Sequence, residues 1–175
     1  MGELDKIGLG GGCHWCTEAV FQSLRGVHRV DQGWIASEGL AHSFSEAVIV
    51  HFDPNAIPLE VLVAIHLHTH ESTSNHSMRG KYRSALYVFS EKQRQGICSI
   101  LKVQQKEFNK PLITQILPYR AFKASEETFQ EYYFKDPEKP FCARFIDPKL
   151  QLLLNRFSQH TNTTKLKHLK SHEHH

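Results

Sequence analysis

The spacing of apolar residues alternates along this 175-residue chain between the period of a strand and that of a helix, and this succession constrains the fold more than any other feature. A period of two is typical of strands, and a period of 3.6 is typical of helices. Six such segments occupy the first half of the chain: strand 5–9, helix 15–25, strand 27–36, strand 44–52, helix 58–70 and strand 82–89. The predicted order of elements is therefore β-α-β-β-α-β.

This order is that of the ferredoxin-like split arrangement. Two strands that are adjacent in sequence, joined by a short connection, favour antiparallel pairing. We therefore predict an α+β fold, a ferredoxin-like β-α-β-β-α-β sandwich with added C-terminal helices. The later segments are a helix capped by Ser90 and running to about Phe108, a strand at 113–118, a helix at 125–134, a loop at 136–148 and an amphipathic helix at 150–157.

Length and composition predict one domain over residues 1–158 and a disordered, basic, His-rich tail over 159–175. The formal charge is only +3 and the cationic residues are scattered, so the sequence does not support nucleic-acid binding. No signal peptide is recognisable, and no apolar run reaches the roughly 20 residues that span a bilayer. These features predict a cytoplasmic protein without a membrane partner.

Four cysteines, Cys13, Cys16, Cys98 and Cys142, are too few for a disulfide-stapled secreted scaffold. Cys13 and Cys16 form a Cys-x-x-Cys pair between three glycines and the first predicted helix. A cysteine there meets free backbone N–H groups and the positive end of the helix dipole, which favour the thiolate. The glycines let a substrate approach the backbone closely. Cys13 is thus the candidate nucleophile, with Cys16 within disulfide reach.

A Cys-x-x-Cys pair alone is compatible with thioredoxin-like exchange, zinc binding and peroxide chemistry. A zinc site needs two more soft ligands, and no second Cys-x-x-Cys occurs. His66 and His70 are four residues apart, a spacing that suits a shared divalent metal, but flanking ligands are missing. A thioredoxin-type exchanger needs strands and helices to alternate after the motif, whereas two adjacent strands follow. We predict no metal and no organic cofactor.

Glu46 lies in an otherwise apolar row on one face of strand 44–52. The other members of this face are Phe44, Val48, Val50 and Phe52. Desolvation among apolar neighbours raises the pKa of a carboxyl group, which makes Glu46 a candidate general acid. The alternative is a carboxylate at the wet end of the strand, paired with a Lys or Arg. Tyr82 opens the strand 82–89 beside a polar loop and is a candidate hydrogen-bond donor to a substrate oxygen.

Five segments in register resemble the A-type peptide methionine sulfoxide reductases over about residues 7–157. They are Gly12–Leu24, Gly26–Val27, Ser45–Val48, Tyr82–Ala85 and Tyr132–Cys142. The Gly-Cys-aromatic-Trp signature is fairly specific, and the later blocks agree with it. The resemblance implies the same ferredoxin-like core and the reduction of methionine-S-sulfoxide, peptide-bound or free, to methionine.

The resemblance also implies a role for each matching residue. Cys13 would attack the sulfoxide sulfur and become a sulfenic acid, while Glu46 protonates the sulfoxide oxygen and Tyr82 holds that oxygen by a hydrogen bond. Trp15 would form the wall of a small apolar pocket for the S-methyl group, which rewards the burial of one methyl by roughly 0.8 kcal/mol.

Recovery of the thiol is implied to pass through a disulfide. Cys16 or Cys142 would attack the sulfenic acid of Cys13, and thioredoxin would reduce the disulfide by exchange. Cys142 follows Pro140 in the segment that matches the family's common resolving cysteine, and the choice between the two partners stays open. Cys98 matches no role, and we predict that it is structural.

The chain departs from the family pattern at three places. His14 stands where most members have Phe, so the methyl pocket has a polar wall or the imidazole turns away. The segment 34–45 lacks the family's second site tyrosine, and nothing acidic stands between Ser72 and Lys81. His76 and Ser77 are the predicted substitutes for the missing acid. One lost charge-stabilising donor can cost about 10²–10³ in rate.

Two other functions stay open on the sequence alone. The missing acid and phenol are compatible with an impaired relative that binds oxidised methionine or a partner protein without turnover. The cysteine pair and the histidines near His70 are compatible with a Cys/His metal-binding module.

Overall fold

The computed structural model describes residues 3–170. Its strands are β1 (Asp5–Gly10), β2 (Val27–Ala36), β3 (Ser45–Phe52), β4 (Ala85–Val88), β5 (Gln115–Pro118) and β6 (Ala121–Ala124). They form one sheet in the order β5-β4-β1-β3-β2-β6, in which β4 and β5 run parallel and the other neighbours antiparallel. The central order β4-β1-β3-β2 is that of the ferredoxin-like core, which confirms the predicted fold class.

Six α-helices accompany the sheet: α1 (His14–Gln22), α2 (Leu59–Thr69), α3 (Glu91–Gln104), α4 (Tyr132–Lys135), α5 (Asp147–Arg156) and α6 (Lys167–Lys170). The helix α1 packs on β2 and β3 and also contacts α5, while α2 packs with α3 and α5. The hydroxyl of Ser90 accepts the N–H of Gln93 at 3.1 Å, which confirms the predicted cap of α3. Within residues 3–170, no helix is long and apolar enough to cross a membrane.

The alternation of β3 divides the core into two parts. Val48 and Val50 point to the side of the sheet that carries the helices, where they join the main hydrophobic cluster. Ala47 and Ile49 point to the opposite side and join a smaller cluster around Tyr87. Glu46 has the parity of Val48 and Val50, so its side chain belongs to the helix side, where α1 begins.

The predicted helix at 125–134 is wrong. Residues 121–124 form β6, which pairs with the edge of β2, and only the four residues of α4 are α-helical near the end of the predicted segment. Residues 125–131 contain only a 3₁₀ turn at Glu127–Phe129, because the side chains of Ser125 and Gln130 hydrogen-bond to Gln32 of β2 instead of continuing a helix.

The predicted loop at 136–148 is wrong in its second half. A π-helical turn at Cys142–Ile146 leads directly into α5. Pro148, taken as a loop signal, lies in the first turn of α5, where the missing N–H of proline costs no hydrogen bond.

The predicted disordered tail is wrong for residues 159–170. Thr161, Leu166 and Leu169 are buried, and the two leucines belong to the main core. Backbone hydrogen bonds of 2.7 Å join Arg25 N–H to His160 C=O and Asn162 N–H to Ser23 C=O. These partners are far away in sequence, so local composition does not reveal them. Residues 171–175 of the predicted tail lie outside the described residues.

Candidate active site

Cys13 occupies the N-cap position of α1, directly after the glycines that follow β1. A hydrogen bond with the Cys16 thiol is the main cause that lowers the pKa of Cys13, and the backbone N–H groups of Trp15 and Cys16 contribute. Burial and the nearby Glu46 carboxylate act in the opposite direction. The position therefore favours a thiolate, as the sequence predicts for a cysteine at a helix start.

Cys16 and Cys142 are both buried in the core that Cys13 packs against. The hydrogen bond to Cys13, together with burial, strongly raises the pKa of Cys16, so Cys16 keeps its proton when Cys13 loses one. The thiol of Cys142 donates to the carbonyl of Asp136 at 3.7 Å, and burial raises its pKa. Cys98 lies on α3, outside this cluster. The structure thus places Cys16 in contact with Cys13 and Cys142 in the same packed region.

Glu46 lies in β3 and is 7% exposed. Its Oε1 accepts the backbone N–H of His14 at 3.1 Å, and its Oε2 lies 3.7 Å from the Nζ atom of Lys81. The predicted face of the strand is correct, but the predicted apolar surroundings are wrong, because polar groups contact both oxygens. Glu46 combines the two alternatives left by the sequence: it is buried and it is paired.

His14, the first residue of α1, is buried against β2 and β3. Its Nδ1 lies 2.7 Å from the carbonyl oxygen of Gly33, its Nε2 lies 3.5 Å from Oε1 of Glu46, and its ring meets the edge of Trp34 at 5.0 Å. Burial lowers the pKa of His14, which favours the neutral ring. Because Nδ1–H donates to the Gly33 carbonyl, Nε2 carries a lone pair directed at Glu46.

Lys81 completes the polar side of the site, and no motif predicts it. Its side chain is 57% exposed, and its ammonium lies 5.1 Å from the ring centre of Tyr82. A hydrogen bond with the Tyr82 hydroxyl is the main cause that raises the pKa of Lys81, and the charges of Tyr82, Glu46 and Cys13 add to it. Tyr82 itself lies three residues before β4, not in the strand that the sequence predicts.

Aromatic side chains from the segment before Cys142 pack on the indole of Trp15 and cover it. The ring of Tyr132 stacks on Trp15 at 4.1 Å, Phe129 stacks at 5.7 Å, and Phe141 meets the indole edge-on at 5.4 Å. Burial, followed by interactions with Cys142, Cys13, Asp136 and Cys16, raises the pKa of Tyr132, so its hydroxyl lies near the three cysteines of this region. A second phenol therefore reaches the site from α4, although the segment 34–45 contains none.

Glu18 binds the backbone of the segment that covers Trp15, and the sequence did not predict this role. Its side chain is fully buried on α1, and its carboxylate accepts the N–H groups of Glu131 at 2.9 Å and Tyr132 at 3.2 Å. The side-chain amide of Gln32 donates to it at 2.8 Å. Burial raises the pKa of Glu18. Its position two residues after Cys16, within the cysteine motif, is the sequence feature that points to a role at the site.

Arg79 links the polar loop at residues 71–81 to the glycine turn that precedes Cys13. Its guanidinium donates to the carbonyl oxygens of Gly11, Glu71, Ser74 and Tyr82 at 2.5–2.9 Å. A planar fork of donors suits several carbonyls at once, which a lysine does not. The arginine thereby sets the distance between the turn before Cys13 and Tyr82.

His76 and Ser77, the predicted substitutes for the missing acid, lie at the start of a short 3₁₀ turn. Nδ1 of His76 accepts the N–H of Met78 at 3.2 Å, and the side chain of Ser77 is exposed. Among the hydrogen bonds of residues 3–170, none joins either side chain to Cys13 or Glu46. Their part in substrate binding stays a prediction.

His66 and His70 serve the packing of the glycine turn. A Cβ at Gly11 would lie 2.4 Å from the ring of His70, so the missing side chain makes room for this imidazole. Nε2 of His66 lies 2.7 Å from the carbonyl oxygen of Gly10, and Nε2 of His70 lies 2.8 Å from the hydroxyl of Ser84. Within residues 3–170, no group of three or more His, Cys, Asp and Glu side chains has a metal-binding arrangement.

Comparison with known proteins identifies the family. The sequence profile described as peptide methionine sulfoxide reductase matches residues 5–162. The chain belongs to this family. The predicted resemblance and enzyme class are thereby confirmed.

Individual members agree over most of their length. The peptide methionine sulfoxide reductase MsrA of Deinococcus radiodurans is 35% identical over 159 residues, which cover 82% of this chain and 77% of that protein. The MsrA of Psychrobacter sp. (strain PRwf-1) is 31% identical over 172 residues, 90% of this chain and 98% of that protein. Reduced Mxr1 from Saccharomyces cerevisiae shares the fold, with a TM-score of 0.71 at 23% identity over 80% of this chain and 90% of its own.

Proposed function

We propose that the protein reduces methionine-S-sulfoxide, peptide-bound or free, to methionine, with Cys13 as the nucleophile. Family membership supports the reaction. One observation carries the assignment of the site: a thiol with a lowered pKa at the start of α1 lies beside a buried carboxyl group that has a histidine and a lysine as partners. A nucleophile next to proton donors is what the reduction of a sulfoxide needs.

The Cys13 thiolate attacks the sulfoxide sulfur while the oxygen takes a proton. The attack forms a transient bond between the Cys13 sulfur and the substrate sulfur. The protonated oxygen then moves to the Cys13 sulfur as this bond and the substrate sulfur–oxygen bond break, so methionine leaves and Cys13 becomes a sulfenic acid. The substrate sulfur is reduced by two electrons and the cysteine sulfur is oxidised by two, so the step needs no further reactant.

We assign the proton to the pair formed by Glu46 and His14. Oε1 and Nε2 lie 3.5 Å apart at a buried position close to Cys13, so a proton carried by one group can pass to the other. Two groups sharing one proton act as a unit, so the pair and not either residue alone is the general acid.

Tyr82 and Lys81 are the proposed donors to the sulfoxide oxygen. The hydroxyl and the ammonium hydrogen-bond to each other, and Lys81 also faces Glu46. A cation next to the developing oxyanion lowers the barrier more than a neutral donor does. Lys81 thus offsets part of the loss of the family's acid in this loop.

Trp15 is the proposed wall for the S-methyl group. Its indole is held between Tyr132 and Phe141, so the ring presents a fixed apolar surface next to Cys13. The Nε1 atom of Trp15 is buried and has no hydrogen-bond partner among the described residues. His14, the other predicted substrate contact, turns its ring toward Gly33 and Glu46 and contributes through the proton instead.

Cys16 is the proposed resolving residue. It already hydrogen-bonds to Cys13, whereas Cys142 directs its thiol at the carbonyl of Asp136. The Cys13–Cys16 disulfide therefore forms first, and Cys142 takes part only in a later exchange. Thioredoxin is the proposed final reductant, which the crystal structure of yeast Mxr1 in complex with Trx2 supports. We propose the cytoplasm as the compartment, because four cysteines are too few for a disulfide-stapled secreted scaffold.

A single-turnover assay tests the function. Freshly reduced protein is mixed with the S or the R sulfoxide of N-acetylmethionine without added reductant, and released N-acetylmethionine is quantified. We expect a burst of about one equivalent with the S isomer, none in Cys13→Ser, and a burst slowed by about 10²–10³ in Glu46→Gln.

Two results would contradict the proposal. No burst in the wild type, together with measurable binding of the sulfoxide, would assign the chain to a binding function without turnover. An undiminished burst in Cys13→Ser would exclude Cys13 as the nucleophile. Peptide mapping of the oxidised protein distinguishes a Cys13–Cys16 from a Cys13–Cys142 disulfide.

A further inference from the structure

A small cavity of about 40 Å³ adjoins Cys13 and Cys16. Its walls come from the glycine turn, α1, α2 and Lys149 of α5, and they include neither Glu46 nor Trp15. The cavity therefore differs from the side on which we place the sulfoxide. One water molecule occupies about 30 Å³ in the liquid, so the cavity matches a single water and is too small for a methionine side chain.

His66 offers an unused acceptor at this cavity. Its side chain is 2% exposed, and burial lowers its pKa to about 4, so the ring is neutral at neutral pH. Because Nε2–H donates to the carbonyl of Gly10, Nδ1 carries a lone pair. This Nδ1 atom is buried without a hydrogen-bond partner among the described residues. Buried polar atoms are almost always paired, so an unpaired one on a cavity wall points to a small polar ligand.

Lys149 offers a donor at the same cavity. Its ammonium is largely buried and hydrogen-bonds to the carbonyl oxygen of Thr69. Burial lowers the pKa of Lys149, while interactions with Cys16, with the Glu71 carboxylate and with Cys13 act in the opposite direction. Lys149 and His66 thus line the same cavity as the two cysteines that we expect to form a disulfide. A donor and an acceptor together are what a water molecule needs.

We propose that this cavity binds the water released when Cys16 condenses with the sulfenic acid of Cys13, and that Lys149 gives the departing hydroxide its proton. The inference rests on the proposed function, since it concerns the second step at the same site.

The step balances without another reactant. The sulfur of Cys16 forms a bond to the sulfur of Cys13, the bond between Cys13 sulfur and oxygen breaks, and the oxygen leaves with a proton from Lys149. The thiol proton of Cys16 restores the ammonium. The overall change is a sulfenic acid and a thiol giving a disulfide and water. Hydroxide is a poor leaving group, so its protonation lowers the barrier.

Rapid quenching tests the role of Lys149. Reduced protein receives one equivalent of S-sulfoxide, and three quantities are followed: methionine released, sulfenic acid trapped by dimedone, and Cys13–Cys16 disulfide identified by peptide mapping. In Lys149→Met we expect disulfide formation about tenfold slower or worse per sulfenic acid formed, with dimedone adduct accumulating. Lys149→Arg, which keeps the cation, should recover part of the rate. Lys102→Met removes an exposed lysine of α3 and should match the wild type.

A pH profile separates proton donation from a structural role. In the wild type, the rate of disulfide formation per sulfenic acid should fall on the alkaline side, where Lys149 loses its proton, and Lys149→Met should lack this fall. A high-resolution crystal structure of the oxidised protein should show one water near Nδ1 of His66 and Nζ of Lys149.

Three outcomes would overturn the proposal. They are disulfide formation at the wild-type rate in Lys149→Met, a wild-type profile without an alkaline fall, and a dry cavity in the crystal. The pH profile is measured on the wild type, so it tests the proposal even if Lys149→Met does not fold. A wild type that releases no methionine would contradict the proposed function instead, and the two failures are therefore distinguishable.

Discussion

Lys81 carries a charge toward Glu46, Tyr82 and Cys13 at once. Replacing it by Met removes the cation and keeps much of the chain length. We expect Lys81→Met to lower kcat/KM for the S-sulfoxide by about 10–10², because a charged donor to the oxygen is lost, and Lys81→Arg to keep more activity. Steady-state rates with thioredoxin and thioredoxin reductase measure this.

The matched control is Lys92→Met, which removes an exposed lysine of α3. It should leave kcat/KM unchanged. If Lys81→Met and Lys92→Met behave alike, Lys81 has no part in the chemistry.

At the residue scale, the sequence predicts the nucleophile better than its partners. Cys13 stands at a helix start, and the groups that lower its pKa, the Cys16 thiol and the N–H groups of Trp15 and Cys16, lie within three residues of it. Glu46 was predicted from the alternation of β3, but its contacts with His14 and Lys81 are not local. Those residues lie 32 and 35 positions away from Glu46, and only the folded sheet brings them together.

At the element scale, α4 depends on the carboxylate of Glu18. Glu131 and Tyr132 donate to different oxygens of Glu18, and in Glu18→Gln an amide NH₂ replaces one of these oxygens, so one of the two backbone N–H groups loses its acceptor. We expect the free energy of unfolding to fall by about 2 kcal/mol, since a buried backbone donor is left unpaired. Urea unfolding measures this, and Trp15 fluorescence reports the loss of stacking by Tyr132.

Glu138→Gln is the control for Glu18→Gln, because Glu138 is an exposed residue of the same segment. Its stability and fluorescence should match the wild type. If Glu18→Gln keeps the wild-type stability and fluorescence, stacking on Trp15 is sufficient to keep the aromatic segment in place.

The short elements are where the sequence misleads. Strands β1, β2 and β3 follow their apolar spacing, because each buries one or both faces in the core. The segments 121–124 and 142–146 have weak spacing, and their structure depends on an open edge at β2 and on packing against α1. Short segments have little internal preference, so their surroundings decide.

At the scale of the whole molecule, the C-terminal segment closes the core. Leu166 and Leu169 are buried against residues far away in sequence. We expect the double substitution to Ala to lower the free energy of unfolding by about 2–5 kcal/mol, the range for one buried leucine, because local detachment of the segment limits the loss. Thermal or urea unfolding measures this.

Lys167→Ala serves as the control for the leucine substitutions, because Lys167 is exposed between them. A double leucine variant as stable as Lys167→Ala would mean that the segment adds nothing to the stability of the fold.

Buried neutral histidines make the whole molecule sensitive to acid. The pKa of His66 is about 4 in the folded protein, whereas imidazole in an unfolded chain titrates near 6.5. The unfolded state therefore binds a proton first as the pH falls through this window, and the free energy of unfolding decreases, by about 2 kcal/mol at about pH 5.

His66→Gln removes this part of the pH dependence, because its amide can still donate to the carbonyl of Gly10 but does not titrate. Urea unfolding of both proteins at about pH 7 and about pH 5 measures the difference. Equal losses of stability in both would show that His66 does not titrate in this window. The control variant His28→Gln replaces an exposed histidine of β2, and it should lose as much stability between the two pH values as the wild type does.

The sequence by itself determined the order of the core elements and the place of Cys13. Period-two and period-3.6 spacing report burial locally, and a cysteine at a helix start meets backbone N–H groups of its own helix. Only the tertiary structure decided the surroundings: the partners of Glu46, the hold of Glu18 on α4, the cavity at Lys149 and the ordered segment 159–170. Each depends on side chains far apart in sequence meeting across the sheet, because burial removes water and obliges polar groups to find one another.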